Sequence, residues 1–503
     1  MLRSIAPRSY LSTSCRQIEI FGTLPSTVVL CPATLEEYIT MIVLYCGHRG
    51  VCEWRKKSAA SALFHGRATQ SFVVTASRAE GAAQPRKTSD QLMVTTADFK
   101  AHPSTAEGSV THDDMVQRAR GLFPFLRKSI DKVDAARQLP AEVFEKLYEA
   151  GFMKMLAPRR YGGYQLGLDT YAAVCAELAK ADASAAWVVC LLNGCMYLST
   201  RLFGDDVHRE LFASALGPRI AGVIASGVSK VKRVEGGYLI EQGKWHFNSG
   251  VYHAEWDLLY IDTVDEKGQP NGAACCLVPI KDVTIHDEWF TIGLRGSGST
   301  SVSVSHLFVP QERVGPMSDV MGGKVVKNAL ANDAPYTGAL APVLAISLAY
   351  PPVGVAQGAF EVFLEKLPNR RIPYTWYTKS ADAAVVQIAI ADASAKIDCA
   401  KLLIEKANRD IADWAEKHPG EQMPQLMRGR IRRDTGYVCN LCYEAVNVLS
   451  EASGGSFTAE SNILNRMWRD TRTISLHGFT ANTTSLELYG RLLCGLEPNT
   501  HLV

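Results

Sequence analysis

The spacing of the apolar residues changes twice along this chain, and that double change restricts the fold more than any single motif. From residue 111 onward apolar side chains recur at helical intervals. Met115, Ala119, Leu122, Phe123, Leu126, Ile130 and Val133 fall on one face of a stretch over 113–136. Further helices are expected over 139–150, with Pro140 in the first turn and Gly151 closing it, and over 169–180 with Asp169 as N-cap. Residues 187–198 are apolar almost throughout, as a buried helix should be.

Between 218 and 312 the period becomes two. A strand is expected from Gly237 through Phe247, and another over 258–262. The turn 266–272 joins the latter to the apolar run 273–278, a hairpin pattern, and 301–305 alternates strictly. Past Pro335 the helical period returns, with long segments expected at 340–367, 381–415, 427–450 and 466–493. The fold class this implies is α+β. A poorly structured extension (1–105) precedes an N-terminal helical domain (106–217), a central β-barrel or sandwich (218–332) and a C-terminal helical bundle (333–503).

Composition removes several function classes. The chain has 503 residues, 47% of them apolar and 21% charged, with a net charge of +2. So even a balance argues against a nucleic-acid binder. No run of about 18 uninterrupted apolar residues is present, so no membrane span is expected; the nearest candidate, 27–46, contains Pro32, Glu36 and Glu37. Thirteen cysteines without framework spacing point to reduced thiols and a cytoplasmic protein. Cys439 and Cys442 have no second pair to complete a metal site and read as packing thiols, so no metal is expected. Residues 1–100 carry 12 Lys and Arg against 7 Asp and Glu. Residues 1–16, with three arginines and no acid, have the composition of an organellar transit peptide or of a plain extension.

Three runs can carry chemistry. Gly293-Leu-Arg295-Gly296-Ser297-Gly298-Ser299 is followed by a strand, so it fails as a dinucleotide fingerprint, which needs a helix at that point. It remains either a solvated turn or a close-approach backbone with one forked cation, suited to a phosphate or a flavin carbonyl. In Trp245-His246-Phe247-Asn248-Ser249, strand alternation puts Trp245, Phe247 and Ser249 on one face. That face is either core or a stacking wall with a hydroxyl beside it. Finally Arg466, Asp470, Thr473 and His477 share a helical face after the Gly454-Gly455 loop, so His477 is either a packing residue or a site residue. No GxSxG, HExxH, Walker A or kinase pattern is present.

Together these runs resemble the acyl-CoA dehydrogenase fold over roughly 111–498. The resemblance implies a helical domain, a β domain, a C-terminal four-helix bundle and a homotetramer. The stretch 243–249 is similar to the family strand that stacks on flavin and bonds its N5, here through Phe247 and Ser249. Where many dehydrogenases carry Tyr-Glu-Gly beyond the arginine motif, this chain has His477 and Gly478, so the usual carboxylate base is missing. The pattern is instead similar to the fold's monooxygenase branch, which includes the oxygenase components of 4-hydroxyphenylacetate 3-hydroxylase and the secosteroid hydroxylase, and dibenzothiophene monooxygenase. That likeness implies reduced FMN or FAD supplied by a separate NAD(P)H-dependent reductase, O2 as co-substrate and an aromatic or heteroaromatic small molecule as substrate. It makes His477 and Ser249 the catalytic candidates. The flavin-binding candidates are Trp245, Phe247, Ser249, Arg295, Gly296, Ser297, Ser226, Gly454 and Gly455. Several aromatic hydroxylases of the branch have a histidine eight residues after the first-domain tryptophan; after Trp187 that place holds Cys195. Two other readings stay open: a dehydrogenase whose base is Glu361 or Glu365, and a catalytically silent relative.

Overall fold

The computed structural model describes residues 110–503, apart from 226 and 322–327; the extension expected over 1–105 lies outside them, as does Ser226. Helix α1 (His112–Ala136) starts where the sequence period does. Thr111 accepts the Asp114 N–H on its hydroxyl while the Asp114 carboxylate accepts the Thr111 N–H, a reciprocal cap. Helices α2 (Ala141–Glu149), α3 (Leu168–Ala181), α4 (Ala183–Leu202) and α5 (Asp205–Leu211) complete the first block. Asp169, expected as a cap, lies inside the first turn of α3, behind Gly167. The acidic cap belongs instead to α4, where Asp182 accepts from the Ser184 and Ala185 N–H groups.

The middle of the chain forms two four-stranded sheets. One has the order β1 (Ile220–Val223), β4 (Trp256–Val264), β5 (Pro270–Pro279), β8 (Val314–Pro316); the other β2 (Val228–Val234), β3 (Gly237–Asn248), β7 (Thr300–Pro310), β6 (Thr284–Ile285). Among the described strands only β1 and β4 pair in parallel. The expected hairpin is β4–β5, where Asp265 accepts two N–H groups of its own turn and Gly268 takes φ +76°. Trp245 Nε1 of β3 donates to the Tyr260 carbonyl of β4, and Asn248 donates to Asp257, so the sheets are tied face to face as a sandwich.

Short helices α6 (Met317–Met321) and α7 (Ala334–Thr337) lead to α8 (Leu340–Ser347), α9 (Tyr350–Lys366), α10 (Ala384–Lys417), α11 (Gln425–Ala452), α12 (Ile463–Ser475) and α13 (Asn482–Leu493). Helix α11 packs against α9, α10, α12 and α13 and forms the centre of this block. Two of the expected long segments are interrupted. The segment 340–367 breaks between α8 and α9, because Pro351 and Pro352 lack the N–H groups that a continuous ladder needs. The segment 466–493 breaks between α12 and α13, and that loop carries His477. Two apolar stretches, 183–202 and 340–369, are long enough to cross a bilayer, but 89% and 100% of their respective windows are buried inside the fold. Cys439 and Cys442 are buried in the α11 core. Buried side chains from all three blocks join in one continuous core.

Candidate active site

A cavity of about 480 Å³ opens where α4, β1, β3, α8, α11 and the α12–α13 loop converge. Its size falls in the range of about 300–1000 Å³ typical of small-molecule sites. Most of its wall is apolar, with Leu191, Leu198, Ile224 and Leu344 among the lining. Phe247, Ser249 and His477 all line it, although they stand far apart in sequence.

Strand β3 does not keep a simple alternation at this point. Its pairing with β7 slips between Trp245 and Asn248, where one extra residue is accommodated and Phe247 adopts φ +66°. The bulge turns Trp245 and Asn248 both inward, towards Tyr260 and Asp257. Trp245 is fully buried and is absent from the cavity wall, whereas Phe247 is 71% exposed. The expectation that Trp245, Phe247 and Ser249 share one face is therefore corrected. Of the rings of Trp245 and Phe247, only Phe247 lines the cavity, with Trp289 edge-on to it at 6.3 Å.

Ser249 is held by a chain of hydroxyls whose direction can be assigned. Ser297 Oγ donates to the Leu294 carbonyl at 2.7 Å and so spends its proton there. Ser299 then donates to Ser297, and Ser249 to Ser299, each across 2.7 Å. Trp187 Nε1, which can only donate, reaches Ser249 Oγ at 3.1 Å. One lone pair of Ser249 is left to accept a further hydrogen bond. The turn behind this chain is anchored from the bundle: Asp470 accepts the Leu294 N–H at 2.6 Å, and Arg466 ties Asp470 to Asp182 of the first block. Burial pushes the Asp470 carboxyl up to about 6, against the pull of Arg466.

The other candidates in the Gly-rich run do not reach the cavity. Arg295 donates to the carbonyls of Asp134 and Thr291, so its guanidinium braces the turn against α1 rather than facing a ligand. A Cβ on Gly296 would stand 2.0 Å from Val133 Cγ1, which makes that glycine a close-packing residue. Gly454 and Gly455 form an exposed turn away from the cavity wall, with Gly454 at φ +56°.

His477 sits beyond the end of α12, so the expected single helical face from Arg466 to His477 does not exist. Thr480 donates back to the Ile474 carbonyl and closes the helix there. The Phe479 N–H donates to His477 Nδ1 at 3.2 Å, which leaves the ring proton on Nε2. Trp187 meets the ring edge-on at 5.7 Å and Phe479 stacks at 6.3 Å. Burial, and then the Arg432 guanidinium, lower its pKa to about 4, so the imidazole is neutral at pH 7. An ordinary histidine titrates near 6.5, so burial moves this ring out of the neutral range. Cys195 lines the same wall as a neutral thiol, its pKa pushed up to about 12 by burial.

Sequence reasoning missed Trp187 as the donor to Ser249, Ser299 as the link in the chain, and Arg432. A usable signal existed for the last. Gly429, Arg432, Gly436 and Cys439 recur at steps of three, four and three, which places a cation on a stripe otherwise made for close packing. The dehydrogenase alternatives find no support in position. Glu361 is half-exposed and paired with Lys180 at 3.3 Å, Glu365 is exposed, and no carboxylate is among the described residues that line the cavity.

Family models match at both ends of the described chain: acyl-CoA dehydrogenase, N-terminal domain, over 112–216 and acyl-CoA dehydrogenase, C-terminal domain, over 346–482. The chain therefore has an acyl-CoA dehydrogenase-like fold. Its relatives include oxygenase components of flavin-dependent monooxygenases. The oxygenase subunit HsaA of Rhodococcus jostii is 29% identical over 75% of this chain and 97% of its own length. The oxygenase component of p-hydroxyphenylacetate 3-hydroxylase from Acinetobacter baumannii is 27% identical over 77% of this chain and 91% of its own. Among solved structures, XiaF from a Streptomyces species, in complex with FADH2 and glycerol, superposes with a TM-score of 0.73 at 28% identity. That match covers 77% of this chain and 97% of XiaF.

Proposed function

We propose that this protein is the oxygenase component of a two-component flavin-dependent monooxygenase that hydroxylates an aromatic or heteroaromatic small molecule. The observation that carries this reading is the exposed Phe247 ring beside the oriented Ser249 hydroxyl and the neutral His477, all on one largely apolar cavity. Those residues fit a reduced isoalloxazine. Phe247 supplies a flat apolar surface, and the free lone pair on Ser249 suits an N5 that carries hydrogen in the reduced state. Reduced FMN or FAD, when bound, would supply the electrons that activate O2 for transfer to the ring.

The chain's own residues do the rest. Apolar walls exclude water, and Trp187, Ser299 and Ser297 keep Ser249 turned as an acceptor. The Nε2–H of His477, whose ring is neutral, can donate a hydrogen bond into the cavity without carrying charge. Ser297 supports the site from behind, and Trp245, Arg295 and Gly296 serve packing and bracing. Gly454 and Gly455 face outward and would serve a flavin only across a contact between copies, in the homotetramer that belongs to this proposal. So do the domain limits 1–105, 106–217, 218–332 and 333–503, a cytoplasmic setting and a separate NAD(P)H-dependent reductase.

The apolar character of the described lining residues, with no carboxylate among them, favours oxygenation over dehydrogenation. The test is a single turnover with chemically reduced flavin, labelled O2 and a panel of phenols. One labelled oxygen in a product supports the reading. A protein that binds no reduced flavin, or whose bound flavin reoxidises without oxygenating any phenol, would overturn it.

A further inference from the structure

One cation on the cavity wall has no counter-charge among the described residues. Arg432 of α11 lines the cavity and donates through Nη1 to the Phe479 carbonyl and through Nη2 to the Gly478 carbonyl. Its Nε is buried and has no hydrogen-bond partner, and no carboxylate pairs with it among the described residues. Its neighbours in α11 differ: Arg430 and Arg433 both pair with Asp434. Among the described residues, the acidic group that acts on Arg432 is the Cys439 thiol, which burial keeps protonated. Burial lowers the Arg432 pKa only to about 10, so the guanidinium is charged at pH 7. The aromatic face of Phe479 lies 4.2 Å from its carbon, which spreads but does not neutralise the charge.

A half-buried cation left without an anion is costly, and a pocket that keeps one is organised for a ligand that brings the anion with it. We infer that Arg432 is a specificity-determining residue that selects substrates carrying a carboxylate or a phenolate on the aromatic ring. Its planar fork is the side chain best matched to such a delocalised anion. This rests on the cavity being the substrate site proposed above, and it goes further by stating the substrate's charge. Phe247 and Ser249, proposed above to hold the flavin ring, lie at the end of β3, whereas Arg432 comes from α11 beside the loop of His477, so the anion is assigned to the substrate and not to the flavin ring.

The test is calorimetric binding of benzoate and of its neutral counterpart benzamide to the full-length, flavin-free protein. It needs no turnover, so a failure here leaves the oxygenase reading standing. Benzoate should bind the wild type about ten- to a hundredfold tighter than benzamide, the usual value of a charge-assisted hydrogen bond in a dry site. Arg432→Met should erase that preference while keeping benzamide affinity, and Arg432→Lys should retain part of it. Equal wild-type affinities for the two probes would overturn the inference, as would an Arg432→Met protein that still prefers benzoate. A third arm measures reduced FMN: loss of flavin affinity in Arg432→Met with benzoate preference intact would assign the anion to the flavin and overturn it as well. Because Arg432 also holds the 478–479 backbone, melting curves accompany each variant. Should Arg432→Met fail to fold, the wild-type comparison and Arg432→Lys decide the question.

Discussion

Trp187 Nε1 stands 3.1 Å from Ser249 Oγ, so helix α4 of the first block fixes the hydroxyl at the end of strand β3. Because an indole N–H can only donate, Ser249 must accept from it, and the Ser299–Ser297 chain fixes where the serine's own proton goes. Ser249→Ala removes the acceptor and leaves the cavity walls in place. Reduced-flavin affinity is expected to stay within a few-fold of wild type. The fraction of O2 turned into hydrogen peroxide instead of product should rise about 2- to 13-fold, the worth of one neutral hydrogen bond of roughly 0.5–1.5 kcal/mol. Unchanged peroxide yield in the variant would remove Ser249 from the flavin's hydrogen bonding.

His477→Asn separates packing from chemistry. If the Nε2–H assists oxygen transfer, product formation falls by about 10²–10⁴-fold while flavin still binds and reoxidises. Its pH behaviour follows from the lowered pKa. The folded state resists protonation down to about pH 4, whereas an unfolded histidine takes up a proton near 6.5. Unfolded chains therefore bind the proton first, and the stability that depends on neutral His477 is lost as pH falls from about 6.5 to 4. Below that window the loss levels off. The asparagine variant should lack this part of the acid loss, about 3 kcal/mol at most. Identical acid-side stability curves for the two proteins would place the titration elsewhere.

The block order was legible because hydrophobic period survives without any knowledge of contacts: α1, α10 and α11 and strands β3, β4 and β7 fall close to where the spacing puts them. What escaped depended on single-residue events. An alternation reading assumes an unbroken strand, so it placed Trp245 with Phe247; one inserted residue reversed that. The only local hint was Gly243, on which a Cβ would stand 2.2 Å from the Trp245 ring and so leaves it room on the inner face. The break that carries His477 out of the helical face rests on Thr480 and Phe479 bonds that become visible only once the chain has turned. Arg295 shows a different limit. Residue type suggested a ligand, but its partners are backbone carbonyls that no sequence pattern announces.

A chain that starts at residue 106 should keep its flavin affinity and its oligomeric mass. The family match begins at 112, and the capped start of α1 at Thr111 needs nothing upstream to satisfy its first N–H groups. Mass measured by light scattering and flavin affinity by titration check this. An insoluble product, or one of smaller oligomeric mass, would show that 1–105 contribute to assembly.

Arg466 links distant parts of the site. It is 6% exposed and reaches the Ile130 carbonyl of α1, Asp182 at the start of α4 and Asp470 of α12. Asp470 in turn accepts the Leu294 N–H, and Leu294 receives the last proton of the hydroxyl chain that begins at Trp187. Arg466→Met leaves Asp182 and Asp470 buried without their cation, a loss expected to cost about 3–5 kcal/mol and to lower the denaturation midpoint. Lys146→Ala, which breaks an exposed pair with Glu149, should cost less than about 1 kcal/mol and serves as the control. The functional signature matters more than the stability loss. If the Asp470–Leu294 bond positions the serines, Arg466→Met should raise the peroxide fraction at temperatures where it is still folded. Adding Ser249→Ala to it should then raise that fraction no further, because both changes act on one hydroxyl. Additive uncoupling by the two substitutions would mean that Arg466 holds the fold without orienting Ser249.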